Sequence, residues 1–581
     1  MPKTIKRKPR AGAVAAYAVL ILAMAVALSL KANYYVDEMH TYGQANHPGS
    51  KNFTVRDGQV YEPADAPFLS FVTVAPGRAF DYANVWRNTA QGVHPPLYHT
   101  LVHTVCSLFP GRFSLWFAGV VNMAFAVMTL FFLRRLGRLM LRDEAQVALL
   151  SFAFSLSGGV LTAVSYLRMY MMAMCQITAL TFFFVRADRE GIGWGRFLLR
   201  AGLTVFLGTL THYYCAVYAV LISAVCGVRL LRKREWKKAL VLALGMAASG
   251  GAACAVYPAM LRHIFRGSRG KDVLGNAGRL SDAWERLRIY AALTDSELFG
   301  RAGVLLAVLA AAYALLILKD RGKAGRKAEK GEGAPGAGGA CRLLILPTLL
   351  YFAVVSKITS VDFLINEFSG TMRWIDRYMF PIYANLLLIS ALLLFGLAGR
   401  PGAGRRARTS AAGAVLCGMS VLGWFTCGWP YLYRDSVPFL KETARYADAE
   451  AVCFYTDNWI LEPMLLEAGN YRSIQFCAAD NEEVKAQVLQ RIGQLADDDV
   501  IVALVGIRGE EQKAWLEEVR HAFGQESRME KLGSFGYGTS WHFKREALPG
   551  GGAGEGRAAA APGNGGDSGN GTQSVGRDTG L

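Results

Sequence analysis

The stretch PKTIKRKPR-AGAVAAYAVLILAMAVALSL-KANYYVDE, residues 2–38, sets a basic head, an apolar run and two adjacent carboxylates in that order. The run from Ala11 to Leu30 can cross a bilayer, for which about 20 apolar residues suffice. Its apolar core is too long for a cleaved secretory leader, and no small-x-small site follows it, so it reads as an uncleaved anchor. Basic residues precede it and should stay in the cytoplasm. Asp37–Glu38 should therefore emerge on the far face. Acidic residues beside a bilayer add little membrane affinity, so a pair there points to chemistry at the water–lipid boundary.

Working outward, similar apolar runs recur almost to the end of the 581 residues, and 52% of the chain is apolar. That is too much for one soluble core and predicts a polytopic α-helical membrane protein. The formal net charge of +18 reads as orientation charge at one membrane face; nothing supports nucleic-acid binding. The ten cysteines show no CxxC or zinc spacing. Cys453 and Cys477 share one soluble region and are candidates to pair.

Basic clusters fix the topology. They lie at Lys3–Arg10, Arg134–Arg142, Arg186–Arg200, Arg229–Lys238, Lys319–Lys330 and Arg400–Arg408. All should be cytoplasmic, so an even number of spans separates any two. Eleven spans satisfy this, roughly 11–30, 113–133, 146–165, 169–185, 197–212, 213–230, 239–258, 299–318, 343–357, 378–398 and 411–429. The segment 94–110, opening HPPLY, would invert every later cluster if it crossed. It is read as an amphipathic interfacial helix that Pro95 and Pro96 start.

Three regions follow: 1–430 as the membrane domain, with 31–112 a large extracytoplasmic loop; 431–546 as a small extracytoplasmic α/β unit; and 547–581 as a disordered Gly-rich tail. In the α/β unit short β-rich runs alternate with helical ones, predicting a parallel sheet with crossover helices. It carries no G-x-G-x-x-G and no P-loop.

Candidate chemistry gathers where this parity places the outer interface. Asp37 could take a proton from an attacking hydroxyl, with Glu38 beside it and His40 nearby; the plain alternative is a solvated loop start. Arg168, in Tyr166-Leu-Arg-Met-Tyr170, either snorkels or grips a phosphate with its planar fork. His94, His212 with Tyr213, and Arg377 fall at other outer edges. The basic stretch 262–288 is attracted to anionic headgroups or helps to hold a lipid phosphate.

These landmarks in this order resemble the GT-C superfamily of polyprenyl-phosphate-sugar glycosyltransferases, in particular its protein O-mannosyltransferase and aminoarabinose transferase branch. The resemblance rests on Asp37–Glu38 after span one, HPPLY, YLRMY, THYY and DRYMFPI, and covers about residues 10–430. The family's Glu-Ala-Arg is Tyr166-Leu167-Arg168 here, so a second acid is missing. The resemblance implies inverting transfer of a sugar from a polyprenyl phosphate to an acceptor hydroxyl on the extracytoplasmic face of the plasma membrane. Asp37 would be the base, Glu38 would orient it or the acceptor, and Arg168 would balance the leaving phosphate. His40, His94, Tyr170, His212, Tyr213 and Arg377 would line the substrate site. It implies no cofactor and no metal, with a lipid-linked sugar as donor and a glycan, glycolipid or protein as acceptor. The alternative is a multi-pass lipid or glycolipid transporter.

Overall fold

The computed structural model describes residues 10–49, 52–62, 67–279, 281–311, 337–359, 372–399 and 404–545. The tail 547–581 and most of the 321–340 loop lie outside the described residues.

Among the described residues, eight helices are long and apolar enough to cross a membrane. In chain order they begin with α1 (Arg10–Ser29). Four short helices follow in the large loop: α2 (Val36–Asn46), α3 (Pro67–Val72), α4 (Tyr82–Gln91) and α5 (Leu97–Ser107). Then come α6 (Leu115–Met140), the broken pair α7 (Glu144–Ser155) and α8 (Gly158–Ser165), α9 (Tyr170–Glu190), α10 (Trp194–Thr209), α11 (Tyr213–Arg232) and α12 (Trp236–Val256). The helices Ala337–Ile358, Tyr383–Ala398 and Arg405–Thr426 complete the bundle. The expected 146–165 span is bent by 48° between α7 and α8, and α10 has 16 residues. The expected 299–318 span is helical from 303 to 311, and its remainder lies outside the described residues.

Several helix ends are basic: α6 ends beside Arg138, α9 beside Arg189 and α11 on Arg229 and Arg232. Arg142 donates to Gly399 O at 2.6 Å, and Arg229 pairs with Asp188 at 2.6 Å. These contacts gather the basic ends at one end of the bundle, and the polar candidates sit at the other. The break between α7 and α8 serves that second end. Trp424 Nε1 takes up the freed Leu156 carbonyl at 2.7 Å, and Ser157 caps α8. A Cβ at Gly158 would come within 2.7 Å of Gly423 backbone, so the helices touch there. Ending α8 at Ser165 turns Tyr166–Arg168 toward α2.

The 94–110 segment forms α5, eleven residues long. At 1.5 Å per residue it spans about 16 Å, too little to cross. Its face of Tyr98, His99, Val102, His103 and Cys106 is buried.

The C-terminal unit is a six-stranded mixed sheet in the order β1-β3-β2-β4-β6-β5. The strands are β1 (Val60–Tyr61), β2 (Glu450–Tyr455), β3 (Ser473–Ala478), β4 (Asp499–Val505), β5 (Arg528–Phe535) and β6 (Gly538–Lys544). β3, β2 and β4 are parallel, as crossover helices require, and the outer pairings are antiparallel. β1 comes from the large loop, so that loop and the C-terminal unit share one sheet. One face, with Val452, Phe454, Val500 and Val502, packs on Trp515, Leu516, Val519 and Val488. The other, with Ala451, Cys453, Phe476 and Ile501, joins the same core as Tyr35, Phe53 and Tyr431. Burial on both faces explains why the strands read as unbroken apolar runs.

The same alternation decides the cysteines. Cys453 is paired in register with Phe476, and Phe454 with Cys477. In-register partners share a face, so the two thiols project from opposite faces, and both are free. The candidate pairing is corrected: neighbouring strands bring the backbones together while the pleat separates the side chains.

Candidate active site

Glu38 builds the site before Asp37 does. Its carboxylate accepts from Tyr35 N (2.9 Å), Leu167 N (2.9 Å) and Lys31 Nζ (2.9 Å). The bond to Tyr35 N is the returning half of a capping box, closing the first turn of α2. The bond to Leu167 N ties α2 to the turn after α8. Glu38 and Lys31 side chains are both fully buried. Burial pushes the Glu38 carboxyl up and the Lys31 ammonium down, and their mutual attraction opposes both. Lys31 also donates to Tyr431 O at 2.6 Å. Glu38 therefore anchors the helix that carries Asp37.

Asp37 lies one residue earlier, its side chain 27% exposed. Its Oδ2 accepts from Arg377 Nη1 at 2.6 Å and from Tyr166 OH at 2.8 Å. Arg377 Nη1 also meets Tyr166 OH at 2.8 Å, closing a three-residue ring. Burial opposes ionisation of Asp37, but Arg377, Arg168 and the Tyr166 hydroxyl outweigh it and hold the carboxyl well below the usual range. Tyr166, the first residue of the Tyr166-Leu167-Arg168 triplet, thus spends its hydroxyl on Asp37. Its ring stacks on Tyr431 at 4.1 Å.

The two arginines play different parts. Arg168 Nη1 donates to Asp37 O (2.8 Å) and Thr41 Oγ1 (3.1 Å), gripping α2 from behind. Arg377 faces a cavity of about 930 Å³. Neither Nε has a hydrogen-bond partner among the described residues. The backbone of Arg377 is held by its neighbour: Asp376 Oδ1 accepts from Arg377 N at 2.6 Å and from Tyr431 OH at 2.5 Å. Asp376 lies beside Glu297, whose Oε2 accepts from Tyr383 OH at 2.5 Å. Burial raises both acids, and two carboxyls in contact favour sharing a proton.

The cavity has a polar mouth and an apolar body. Asp37, His94, Tyr170, His212, Tyr213 and Arg377 all line it. Behind them come Val217, Val220, Leu221, Ala243, Met246 and Ala247, from α11 and α12. His94 and His212 face each other with ring centroids 5.8 Å apart. Burial, with the nearby Arg168 and His212, holds His94 well below its usual range, so it is neutral at working pH. Tyr170 packs on His212 at 5.1 Å, and Tyr213 bonds His263 Nδ1 at 2.7 Å. In the basic 262–288 stretch, Arg269 reaches the cavity, while Arg262 bonds Ala90 O and Arg286 pairs with Asp282 at 2.6 Å.

The sequence-derived residues thus fall into three places. Asp37, His94, Tyr170, His212, Tyr213 and Arg377 share the cavity. Glu38 and Arg168 sit behind it, and His40 turns to the C-terminal unit, 3.3 Å from Glu462. Lys31, Tyr166, Glu297, Asp376 and Glu462 were not singled out. The lysine's adjacency to the Asp-Glu pair was a usable signal; the others depend on tertiary contacts. No group of three or more His, Cys, Asp or Glu able to hold a metal occurs among the described residues.

No protein-family model matches the sequence, and no curated protein matches it significantly. Solved structures do. The crystal structure of ArnT from Cupriavidus metallidurans bound to undecaprenyl phosphate aligns with a TM-score of 0.50 at 11% identity, over 92% of this chain and 98% of that one. The apo form of that protein aligns with a TM-score of 0.39 at 11% identity, over 91% and 97%. The apo oligosaccharyltransferase of Archaeoglobus fulgidus aligns with a TM-score of 0.38 at 11% identity, over 84% and 69%. The likeness to the first is one of fold: this chain is a multi-pass membrane protein with the GT-C fold.

Proposed function

We propose that the protein is an inverting membrane glycosyltransferase that moves a sugar from a polyprenyl phosphate to an acceptor hydroxyl. The observation that carries this reading is the Asp37–Arg377 contact at the mouth of an apolar cavity between helices. A carboxylate and a guanidinium side by side suit a reaction that removes a proton at one atom and collects negative charge at another. The ArnT structure, which is bound to undecaprenyl phosphate, supports the choice of lipid.

In the proposed step the acceptor oxygen bonds the anomeric carbon as the bond from that carbon to the phosphate oxygen breaks. The acceptor's proton goes to Asp37 through Oδ1, because Oδ2 is already engaged by Arg377 and Tyr166. General-base help of this kind is typically worth about 10²–10⁴ in rate. Arg377 turns its remaining donors to the phosphate as charge develops, a preorganised electrostatic role. Arg168 adds positive field from behind while fixing the Asp37 backbone. Neutral His94 and His212, with Tyr170, shape the mouth for the sugar and phosphate. The lipid tail lies along α11 and α12. No metal or cofactor takes part in the proposed step.

The proposed setting is the plasma membrane, with the N-terminus cytoplasmic and the C-terminal unit extracytoplasmic. The acceptor hydroxyl belongs to a glycan, a glycolipid or a protein. A lipid or glycolipid transporter is the alternative, but transport sites of this size sit near mid-span, whereas these ionisable residues gather at one end. The test is binding of undecaprenyl phosphate to the purified protein in nanodiscs, wild type against Val220→Trp, which fills the apolar cavity. Binding lost in the variant supports the reading, and no binding by the wild type contradicts it.

A further inference from the structure

Resting on the reading of Asp37 as the base, we propose that His40 and Glu462 form an imidazole–carboxyl dyad that carries the acceptor's proton away from Asp37. The C-terminal unit thereby supplies a positioning residue to a reaction centred in the membrane domain.

Three observations lead there. First, Asp37 accepts a proton but is poorly built to keep it. Arg377 at 2.6 Å, Tyr166 at 2.8 Å and nearby Arg168 all favour its charged form. Each turnover leaves a proton on this carboxyl, and the pair with Arg377 is restored only when the proton moves on. Second, His40 lies three residues after Asp37 on the same helix and so on the same face, whereas Glu38 is turned inward to Lys31. It is close enough to help hold Asp37 ionised, and its side chain is 20% exposed, which gives it a way out to water. Third, His40 Nδ1 is buried and lies 3.3 Å from Glu462 Oε1.

Glu462 is placed with effort. It lies on the short helix Asn458–Met464 of the C-terminal unit and is 1% exposed. The rim of the large loop fixes that helix: Phe53 N donates to Glu462 Oε1 at 3.5 Å and Val55 N to Asn458 Oδ1 at 3.2 Å. Oε2 of Glu462 is buried with no hydrogen-bond partner among the described residues. A buried carboxyl with an orphaned oxygen is costly, and holding a proton lowers that cost. Burial raises the Glu462 carboxyl, and the Asp37 charge adds to this while Arg168 opposes it. The charged and titratable groups around the dyad include, among the described residues, Asp37 on α2, Arg168 at the α8–α9 turn and His99 on α5.

The proton balance is simple. At rest the ring's one proton is on His40 Nδ1, directed at the Glu462 carboxylate, and Nε2 is unprotonated. After transfer, the Asp37 O–H bond breaks and the proton binds the other ring nitrogen, directly or through one water. Asp37 is again a carboxylate paired with Arg377. The charge on the imidazolium is met by Glu462, and the proton then leaves to solvent through the exposed side of the ring.

The test uses the full-length protein in nanodiscs and two readouts. The first needs no substrate: the pH midpoint for carbethoxylation of His40 by diethylpyrocarbonate, located by peptide mass spectrometry. Removing an adjacent carboxylate lowers a histidine's pKa by about one unit or more, so Glu462→Gln should lower the midpoint by that much and Glu462→Asp by less. The second is release of undecaprenyl phosphate from a panel of undecaprenyl-phosphate sugars. Glu462→Gln and His40→Gln should lower turnover on the order of tenfold, with undecaprenyl phosphate affinity unchanged. An unshifted His40 midpoint in Glu462→Gln overturns the dyad, and so does unchanged turnover beside an active wild type. A wild type that releases nothing from any donor counts against the transferase reading, and the midpoint still decides whether the dyad exists.

Discussion

Arg377 Nη1 lies 2.6 Å from Asp37 Oδ2, across 340 residues of chain. The loop after α1 and the entry to the helix Tyr383–Ala398 meet at one ion pair, and that pair opens onto an apolar cavity. Most of what the protein should do under perturbation follows from this meeting.

The pair sets the pH dependence. Asp37 is held low by Arg377, so wild-type turnover should not fall through this carboxyl above about pH 4, the ordinary carboxylate range. Any folding stability from the pair is likewise complete above that range and lost only as pH falls through the depressed value. Arg377→Gln removes the nearest positive charge, and burial then raises Asp37. Its acid limb should move up into or above the ordinary carboxylate range, on top of a lower maximum. Turnover against pH for both proteins checks this; coincident acid limbs would separate Arg377 from the ionisation of Asp37.

Arg168 tests geometry against charge. Its Nη1 donates to both Asp37 O and Thr41 Oγ1, and lysine lacks the rigid planar head that holds a nitrogen at that point. Arg168→Lys should be impaired and Arg168→Ala worse, in turnover and donor affinity. Lysine snorkels as well as arginine, so a fully active Arg168→Lys would reduce this residue to a membrane anchor.

The Lys31–Glu38 pair should matter to stability more than to chemistry. Both side chains are fully buried, and breaking such a pair by removing one partner costs about 3–5 kcal/mol. Lys31→Met leaves Glu38 charged or forces it to take a proton. Thermal unfolding in detergent should show a large loss of stability, with Glu38→Gln less harmful because its partner can still hydrogen-bond. Wild-type stability in Lys31→Met would show that α2 is anchored by other bonds.

Much of this was legible in the sequence, and the limits have physical causes. Basic clusters and apolar length located most of the long apolar helices, including the one ending at Ile358, because both signals are local. The bend between α7 and α8 was not legible, since it depends on Trp424 and Gly423 from a distant helix. Motif positions pointed to Asp37, His94, Tyr170, His212 and Arg377, which line one cavity, but which arginine faces it is a matter of rotamer and packing. The part played by the C-terminal unit was hidden because β1 has only two residues, too few for any periodic signal. Whether Cys453 and Cys477 pair was not legible, because proximity in a sheet says nothing about face until the register is known.

Sidedness follows from the basic clusters and can be checked without activity. Single cysteines near residue 100 and in the sheet unit should react with an impermeant reagent on intact cells, and those at 400–408 should react only after lysis. The native cysteines are partly or wholly buried and should give low background. Labelling of 400–408 from outside would overturn the eleven-span parity.

The central claim is that Asp37 is the base of a sugar transfer, and one comparison tests it without knowing the sugar. Surface glycans and glycolipids are profiled by mass spectrometry in cells carrying wild type, a deletion, or Asp37→Asn expressed at the wild-type level. The account predicts that one glycan signal is lost in the deletion and equally lost in Asp37→Asn, while the purified variant still binds undecaprenyl phosphate. A wild-type glycan profile in the Asp37→Asn cells, beside a deletion that lacks the signal, would contradict it.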